Sequence, residues 1–380
     1  MARRSKKHAG FGGQNKEQRV RIVQNADMTS KIIADDSAGY IAHEVRDALD
    51  RPLHDLRISL LDRCNFRCPY CMPETEFHDD YQFLTRSQRL THKEILQVAH
   101  VATQLGVSKL RLTGGEPLLD KKLPELVRGL AALPGVEDLA LTTNAILLAP
   151  IAAELAEAGL HRVTISLDSM DEQVFRTMSG GRGELATVLA GIKAAEEAGL
   201  SPIKINVVVE RGVNDHTVLE LLDHFRGTGH IVRLIEFMDV GNRNGWRRMQ
   251  VVPSRELLAK VQERWPLRSL DRNYPGEVAR RYQYVDGQGE IGFISSVTEP
   301  FCGSCSRARL SSDGMLYTCL FATQGTDLRE PIRNGANDDE LGDILSRIWL
   351  QRADRYSELR RSDVAEHHAL SKVEMYRIGG

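Results

Sequence analysis

The chain has 380 residues, more than one average domain needs and enough for an α/β barrel with an appended unit and a well-buried core. Its 50 Lys and Arg nearly balance its 52 Asp and Glu, so no long-range field favours nucleic acid or an anionic membrane, and any anion must be held by a local cluster. No run of about 18 apolar residues occurs and the N-terminus lacks the apolar core of a secretory signal, which predicts a cytoplasmic protein with small-molecule partners.

In the first 25 residues, Arg3, Arg4, Lys6, Lys7, Lys16, Arg19 and Arg21 face a single acid, Glu17. An organelle-targeting segment is one reading. A disordered basic tail is favoured, because Gly and Gln stand where an apolar helix face would be needed. Residues 1–50 are therefore expected to form a mostly disordered extension.

From Leu56 onward, β-branched apolar runs alternate with helical patterns, the signature of βα units and a parallel sheet. The expected strands are Leu56–Leu61, Lys109–Thr113, Asp138–Thr143, Arg162–Leu167, Pro202–Val209 and Ile231–Phe237. Helices are expected between them: one carrying Ile95, Val98, Ala99, Ala102 and Leu105, then Leu123–Leu133, Ile151–Ala158, Leu185–Ala198 and Val218–Phe225. Thr91 and Glu94 have the spacing of a capping box for the first, and Gly106 suits its C-terminus. Six repeats predict an incomplete (β/α)6 barrel like an opened TIM barrel, over residues 51–241. The alternation then stops at Gly241-Asn242-Arg243-Asn244-Gly245. Residues 242–380 are expected to form a C-terminal domain covering the open side, which the family resemblance given below implies to be iron–sulfur-binding. It should contain hairpins pairing Tyr282–Val285 with Ile291–Ile294 and Arg307–Leu310 with Leu316–Cys319, and a helix over Glu340–Leu350.

The six cysteines form two trios, Cys64, Cys68, Cys71 and Cys302, Cys305, Cys319, with none left over. A chain of this length needs no disulfide staples, so metal binding in a reducing compartment is the better reading. Neither trio completes a four-ligand zinc site, and no histidine stands at ligand spacing. A four-iron cluster held by three thiolates instead leaves one iron open to a ligand. The first trio follows the first strand, and Gly114-Gly115-Glu116-Pro117, Thr142-Thr143-Asn144 and Ser166-Leu167-Asp168 follow the next three, so four loops should share the C-terminal mouth of the barrel. The Gly-Gly pair would let backbone approach a ligand closely, with Glu116 setting the local charge. In the second trio's stretch, Arg307 and Arg309 alternate on a strand and share a face. With Arg57, Lys109 and Lys204 they could hold an anion, since the planar guanidinium matches phosphate oxygens. Arg57 and Arg309 could equally be solvated edge residues, and Lys204 an ordinary strand-end charge.

The C-x3-C-x2-C loop with an aromatic before its last cysteine, together with Gly-Gly-Glu-Pro, resembles the radical S-adenosylmethionine superfamily. That resemblance implies a [4Fe-4S] cluster on Cys64, Cys68 and Cys71 whose open iron chelates S-adenosylmethionine, and one-electron cleavage to a 5′-deoxyadenosyl radical. It places S-adenosylmethionine against Tyr70, Gly114, Gly115, Glu116, Thr143, Asn144, Ser166 and Met238. Five further stretches resemble the GTP 3′,8-cyclase family of molybdenum-cofactor biosynthesis. They are Arg57-Ile58-Ser59, Arg111 to Leu118, Ile235 to Gly241, the second trio with its arginines, and the terminal Gly379-Gly380.

This second resemblance implies a second [4Fe-4S] cluster on Cys302, Cys305 and Cys319, with guanine on its open iron. GTP would be bound by Arg57, Lys109, Arg111, Lys204, Arg307 and Arg309, the last two being catalytic, and the glycine tail would reach into the site. The reaction implied is C3′ hydrogen abstraction and attack on guanine C8, giving (8S)-3′,8-cyclo-7,8-dihydroguanosine 5′-triphosphate. Implied partners are an unidentified low-potential electron donor and, by pathway, cyclic pyranopterin monophosphate synthase, with the chain a monomer or homodimer. Ala145 stands where that family usually has glycine, and Ser306 where asparagine is common. Two other readings are a peptide-modifying radical enzyme with an auxiliary cluster and a metal-binding sensor or scaffold without turnover. The first lacks the cysteines for closed relay clusters, and the second leaves the loop motifs and strand arginines unexplained.

Overall fold

The computed structural model describes residues 30–34, 41–359 and 372–379. The basic segment 3–21 and Gly380 lie outside the described residues. The strands are β1 (Ser30–Ala34), β2 (Ile41–Val45), β3 (Asp55–Ser59), β4 (Lys109–Thr113), β5 (Asp138–Thr143), β6 (Arg162–Ser166), β7 (Lys204–Val209), β8 (Ile231–Glu236), β9 (Leu267–Leu270), β10 (Arg280–Tyr284), β11 (Glu290–Ile294), β12 (Arg307–Leu310), β13 (Met315–Tyr317) and β14 (Thr326–Asp327). The helices are α1 (His92–Gln104), α2 (Leu123–Ala131), α3 (Ala152–Glu157), α4 (Glu172–Met178), α5 (Leu185–Glu197), α6 (Val218–Phe225), α7 (Ser254–Arg264), α8 (Arg329–Arg333), α9 (Asp338–Leu350), α10 (Tyr356–Leu359) and α11 (Met375–Ile378).

β3 to β8 are the six strands of the βα repeat, paired in parallel and in chain order. Their apolar runs are covered on both faces, as parallel strands require, and Ile58, Leu110, Leu112, Val163, Ile165 and Ile205 are fully buried. Helix α1 buries Ile95, Val98, Ala99 and Ala102. Its capping box closes as expected: Glu94 N–H donates to Thr91 Oγ1 (3.3 Å) and Thr91 N–H to Glu94 Oε2 (2.6 Å). The heptapeptide helix α4 and the strongly polar α7 were not expected, because α7 buries only Ser254, Leu257 and Val261 and shows little apolar periodicity.

The C-terminal part does not form a separate layer. β11 pairs in parallel with β8 (Ile291 opposite Val232), and β12 pairs in parallel with β3 (Arg307 opposite Asp55). The expected hairpins thus extend both edges of the repeat, giving parallel strands in the order β12, β3 to β8, β11 within a 12-stranded sheet. Residue 241 ends the βα repeat without breaking the sheet, and one apolar core runs from Val45 to Trp349. The Glu236 carboxylate ties the end of β8 to later loops, accepting from Ser254 N–H (2.8 Å), Val297 N–H (2.9 Å) and Thr298 N–H (2.9 Å).

Residues 41–50, expected in a disordered extension, are ordered. β2 pairs antiparallel with β1, Val45 joins the core, and Asp47 N–H bonds the Arg51 carbonyl (3.0 Å). This order comes from long-range partners that local composition does not encode. Among the described residues no helix is long and apolar enough to cross a membrane.

Ala145 adopts a left-handed backbone (φ +63°), which explains the usual glycine there. Helix α5 packs so closely over it that a Cβ on Gly191 would lie 2.5 Å from the Ala145 carbonyl oxygen. A Gly→Ala change inside a helix normally stabilises. Gly191→Ala should instead destabilise by about 2 kcal/mol through overpacking, read as a lower denaturant midpoint with an unchanged slope.

Candidate active site

The first thiol loop leaves β3 and is pressed against the loop that leaves β4. Gly115 N–H donates to the Leu61 carbonyl (2.7 Å) and Glu116 N–H to that of Arg63 (2.9 Å). A Cβ on Gly114 would lie 2.6 Å from the Leu61 oxygen, and one on Gly115 would overlap the Arg63 oxygen. The glycines are thus required by the approach of the cysteine loop itself, where the sequence suggested approach to a ligand. Glu116 is buried, and its carboxylate accepts from Leu118 N–H (3.0 Å), the Thr143 hydroxyl (2.7 Å) and Asn144 N–H (2.8 Å). One of about four lone-pair positions is left for a ligand. Burial pushes this carboxyl up to about 7 against those three bonds. Asn144 in turn donates to Asn65 Oδ1 (2.7 Å), joining the third loop to the thiol loop.

Tyr70 donates its hydroxyl to Asp168 Oδ2 (2.8 Å), while Val208 N–H donates to Oδ1 (2.8 Å). Burial raises the Asp168 carboxyl to about 7. The Tyr70 ring packs beside Met178 and Phe237. Its ring and backbone, not its hydroxyl, are therefore what it can offer a ligand. Ser166 ends β6 next to Asn206 of β7.

A second group of side chains lines one cavity inside the sheet. Arg57, Lys109, Arg111 and Lys204 meet Arg307, Arg309 and all three of Cys302, Cys305 and Cys319 there, and Met238 reaches it from the end of β8. Residues from both edges of the parallel array line one space, so the sheet is rolled. Arg57 and Arg309 are accordingly interior cavity residues, and the edge-residue reading of them is set aside. In register, Arg309 stands opposite Arg57 and Arg57 opposite Arg111, a row of three guanidiniums across β12, β3 and β4. Burial first, then the neighbouring arginines, hold Arg57 well below the ordinary guanidinium range. Lys109 already has partners in Asp138 (3.2 Å) and the Tyr274 hydroxyl (2.7 Å). Burial, with Arg233, Arg162 and Arg111 nearby, lowers Lys204 to about 7.

Sequence reasoning missed Asp55, Asn206, Arg233, Tyr274 and Glu277, which also line the cavity. Arg233 had a signal, a lone cation in the apolar run Ile231–Glu236, the same anomaly that marks Arg57 and Arg111. Tyr274 lies in a loop with no pattern to betray it. The described tail also arrives here: Arg309 donates to the carbonyls of Ile378 (3.2 Å) and Gly379, and Gly379 lies against Thr113.

All six cysteines are free thiols, and among the described residues neither trio closes on a single ion position. Their fit to an iron–sulfur cluster rests on the donors around them. Phe66 N–H points to Cys64 Sγ (3.4 Å), Phe321 N–H to Cys319 Sγ (3.5 Å) and Arg352 Nη2–H to Cys305 Sγ (3.1 Å), the kind of N–H···S bond that tunes such clusters. Burial pushes Cys64 and Cys319 up to about 12 and raises Cys68 and Cys71, so these thiolates need a bound cation's charge. Burial raises Cys305 too, but Arg307 and Arg352 outweigh it and bring that thiol to about 6.

A rolled parallel sheet with a three-thiol loop after its first repeat strand defines a radical S-adenosylmethionine protein. Residues 58–225 match the family model described as the Radical SAM superfamily, and residues 230–358 match Molybdenum Cofactor Synthesis C. The chain belongs to the GTP 3′,8-cyclase family. It is 54% identical to the GTP 3′,8-cyclase of Xanthomonas campestris pv. campestris, covering 89% of this chain and 98% of that one. It is 50% identical to that of Acidothermus cellulolyticus (88% and 99% covered) and 44% identical to that of Staphylococcus epidermidis (88% and 99% covered). The structure of Streptococcus suis SuiB bound to S-adenosylmethionine shares the fold, with a TM-score of 0.53 at 14% identity over 77% of this chain and 68% of that one.

Gly115→Ala should displace the thiol loop. After anaerobic reconstitution the variant is expected to lose iron at Cys64, Cys68 and Cys71 and keep it at the second trio, as read by iron content and by the spectrum of the remaining cluster.

Proposed function

We propose that this chain converts GTP to (8S)-3′,8-cyclo-7,8-dihydroguanosine 5′-triphosphate, the first step of molybdenum-cofactor biosynthesis. The observation that carries the reading is the Arg309, Arg57, Arg111 row facing Cys302, Cys305 and Cys319 in one cavity. Like charges directly opposite on neighbouring strands are destabilising, so this row fits a polyanion such as a nucleoside triphosphate. Cys64, Cys68 and Cys71 would hold one [4Fe-4S] cluster, and Cys302, Cys305 and Cys319 the other. When bound, the first cluster with S-adenosylmethionine supplies the one-electron cleavage that makes the hydrogen-abstracting 5′-deoxyadenosyl radical.

The protein's own part is placement. Gly114, Gly115, Glu116, Thr143 and Asn144 brace the first thiol loop, and Tyr70, Ser166 and Met238 complete the S-adenosylmethionine side. Arg57, Lys109, Arg111 and Lys204 hold the triphosphate, with Arg233 added to the set. Arg307, stacked over Phe301 at 5.2 Å, and Arg309, tied to the tail, stand between phosphates and the second trio. The cluster that Cys302, Cys305 and Cys319 would hold would offer the purine an open coordination position. The largely buried setting of these cations would strengthen each contact, because less water screens it.

Residues 51–241 supply the barrel and the cations for the triphosphate, and residues 242–380 supply the cysteines of the second cluster with Arg307 and Arg309, with residues before 51 as an extension. The same reading entails a cytoplasmic setting, a low-potential electron donor, a monomer or homodimer, and delivery of product to cyclic pyranopterin monophosphate synthase.

The test is incubation of reconstituted protein, expected to hold about eight irons per chain, with S-adenosylmethionine, a strong reductant and each nucleotide in turn. Release of 5′-deoxyadenosine should depend on GTP, and release indifferent to the nucleotide would overturn the substrate assignment. Arg307→Ala should lower turnover about 100-fold or more with both clusters intact.

Lys204 adds a pH signature. In the empty site its ammonium is lowered to about 7, and a bound polyanion raises it again, so binding takes up a proton above neutrality. GTP affinity should fall as pH rises from about 7 to 9, and Lys204→Arg should flatten that part of the profile. Calorimetry in buffers of different ionisation enthalpy reads the proton directly.

A further inference from the structure

The carboxylate of Asp47 lies in the segment just before the barrel and is fully enclosed. Its Oδ1 accepts from Leu49 N–H (2.9 Å) and Arg51 N–H (3.0 Å). Its Oδ2 receives two buried guanidiniums, from Arg51 Nε (2.6 Å) and Arg352 Nη1 (2.9 Å). Each guanidinium continues to the second trio. Arg51 Nη1 donates to the carbonyls of Cys302 (2.8 Å) and Asp354 (2.8 Å). Arg352 donates from Nη1 to the Cys305 carbonyl (2.7 Å), from Nη2 to Cys305 Sγ (3.1 Å) and from Nε to the carbonyl of Thr318 (3.1 Å), the residue before Cys319. Trp349 locks the pair from the other side, with its ring 4.5 Å from the Arg352 guanidinium and its Nε1–H on the Arg51 carbonyl (3.0 Å).

One carboxylate therefore reaches all three cysteine-bearing segments through two arginines. We propose that Asp47, acting through Arg51 and Arg352, is the positioning residue of the Cys302, Cys305, Cys319 site, setting its thiol spacing and aiming the Arg352 donor at Cys305 Sγ. The inference rests on the reading of that trio as a cluster site. Arg352 lines the cavity but neither Asp47 nor Arg51 does, so Asp47 cannot act on a bound nucleotide directly and Asp47→Asn is the variant whose GTP affinity separates positioning from contact. Without the carboxylate, two buried cations are left facing one another, and both must move. An N–H donor to sulfur favours the more negative, reduced form of a cluster, so its loss lowers the potential.

The experiment uses full-length reconstituted protein carrying Asp47→Asn or Arg352→Lys. The second variant keeps a cation beside Asp47 but lacks the forked donor. Paramagnetic resonance and redox titration of both clusters are read together with GTP and S-adenosylmethionine affinities. Expected are an altered signal and a more negative potential for the second cluster, and GTP binding about tenfold weaker. The first cluster and S-adenosylmethionine binding should be unchanged. Chemical rescue of an Arg352→Gly variant by added guanidinium should restore the second cluster's signal.

Unchanged second-cluster signal, potential and GTP affinity in both variants would overturn the proposal. Parallel loss of both clusters with a lowered melting temperature, in Arg352→Lys as well as Asp47→Asn, would overturn it too, as ordinary destabilisation. A wild-type chain that takes up iron only at Cys64, Cys68 and Cys71 would instead overturn the underlying two-cluster reading, and needs no variant to detect.

Discussion

Three guanidiniums side by side in a parallel sheet are the constraint on which the rest of the molecule depends. Arg309, Arg57 and Arg111 occupy neighbouring register positions inside the rolled sheet. Such a row is unfavourable twice over, by mutual repulsion and by loss of water. It persists because the strands that carry it are anchored elsewhere, by apolar residues between the cations such as Ile58, Leu110, Leu112 and Leu310, all fully buried. Lys109 shows the compensated case, paired to Asp138, while Lys204 shows the uncompensated one, its proton weakened by burial. A polyanionic ligand, as in the proposed function, would resolve the conflict, and stability yielded in the empty site would return as binding specificity.

The topology makes the second thiol site depend on the strand that leads into the first. β12 carries Arg307 and Arg309 and directly follows the first two cysteines of the second trio, and it is a parallel neighbour of β3, which leads into the first trio. The second site therefore has no sheet of its own to fold on. It is assembled only when the far end of the chain docks on the first repeat strand, with residues 47–51 and the tail at 372–379 closing around it. A cavity built this way is enclosed by elements from three distant stretches of chain, which suits chemistry that must exclude water.

Much of the fold was legible because parallel strands covered on both faces must be continuously apolar. β4 and β5 coincide with the runs that marked them, and α6 with its apolar periodicity. The thiol trios were legible from their spacing, and the cation set because charges such as Arg57 and Arg111 interrupt apolar strands. Arg233 carried that same mark and was passed over. Tyr274 and Asp47 carried no mark, since a loop tyrosine and an acid in a polar segment look like solvated residues until a partner is known. The Gly114-Gly115 pair was visible as a motif, but its cause, the Arg63 carbonyl packed against it, belongs to another loop.

By itself the amino-acid sequence determined the periodicities, the thiol spacing and the chemical types available, because these depend on residues near one another in the chain. Only tertiary structure decided that the C-terminal strands extend both edges of the barrel sheet, that the cations form a register row, and that Asp47 reaches the second trio. Those facts depend on which strand edge meets which, and on burial, neither of which is a property of any local stretch. The three-thiol loop after β3 was evident from its spacing, whereas the cavity lined by the second trio and the cations exists only once β12 has found β3.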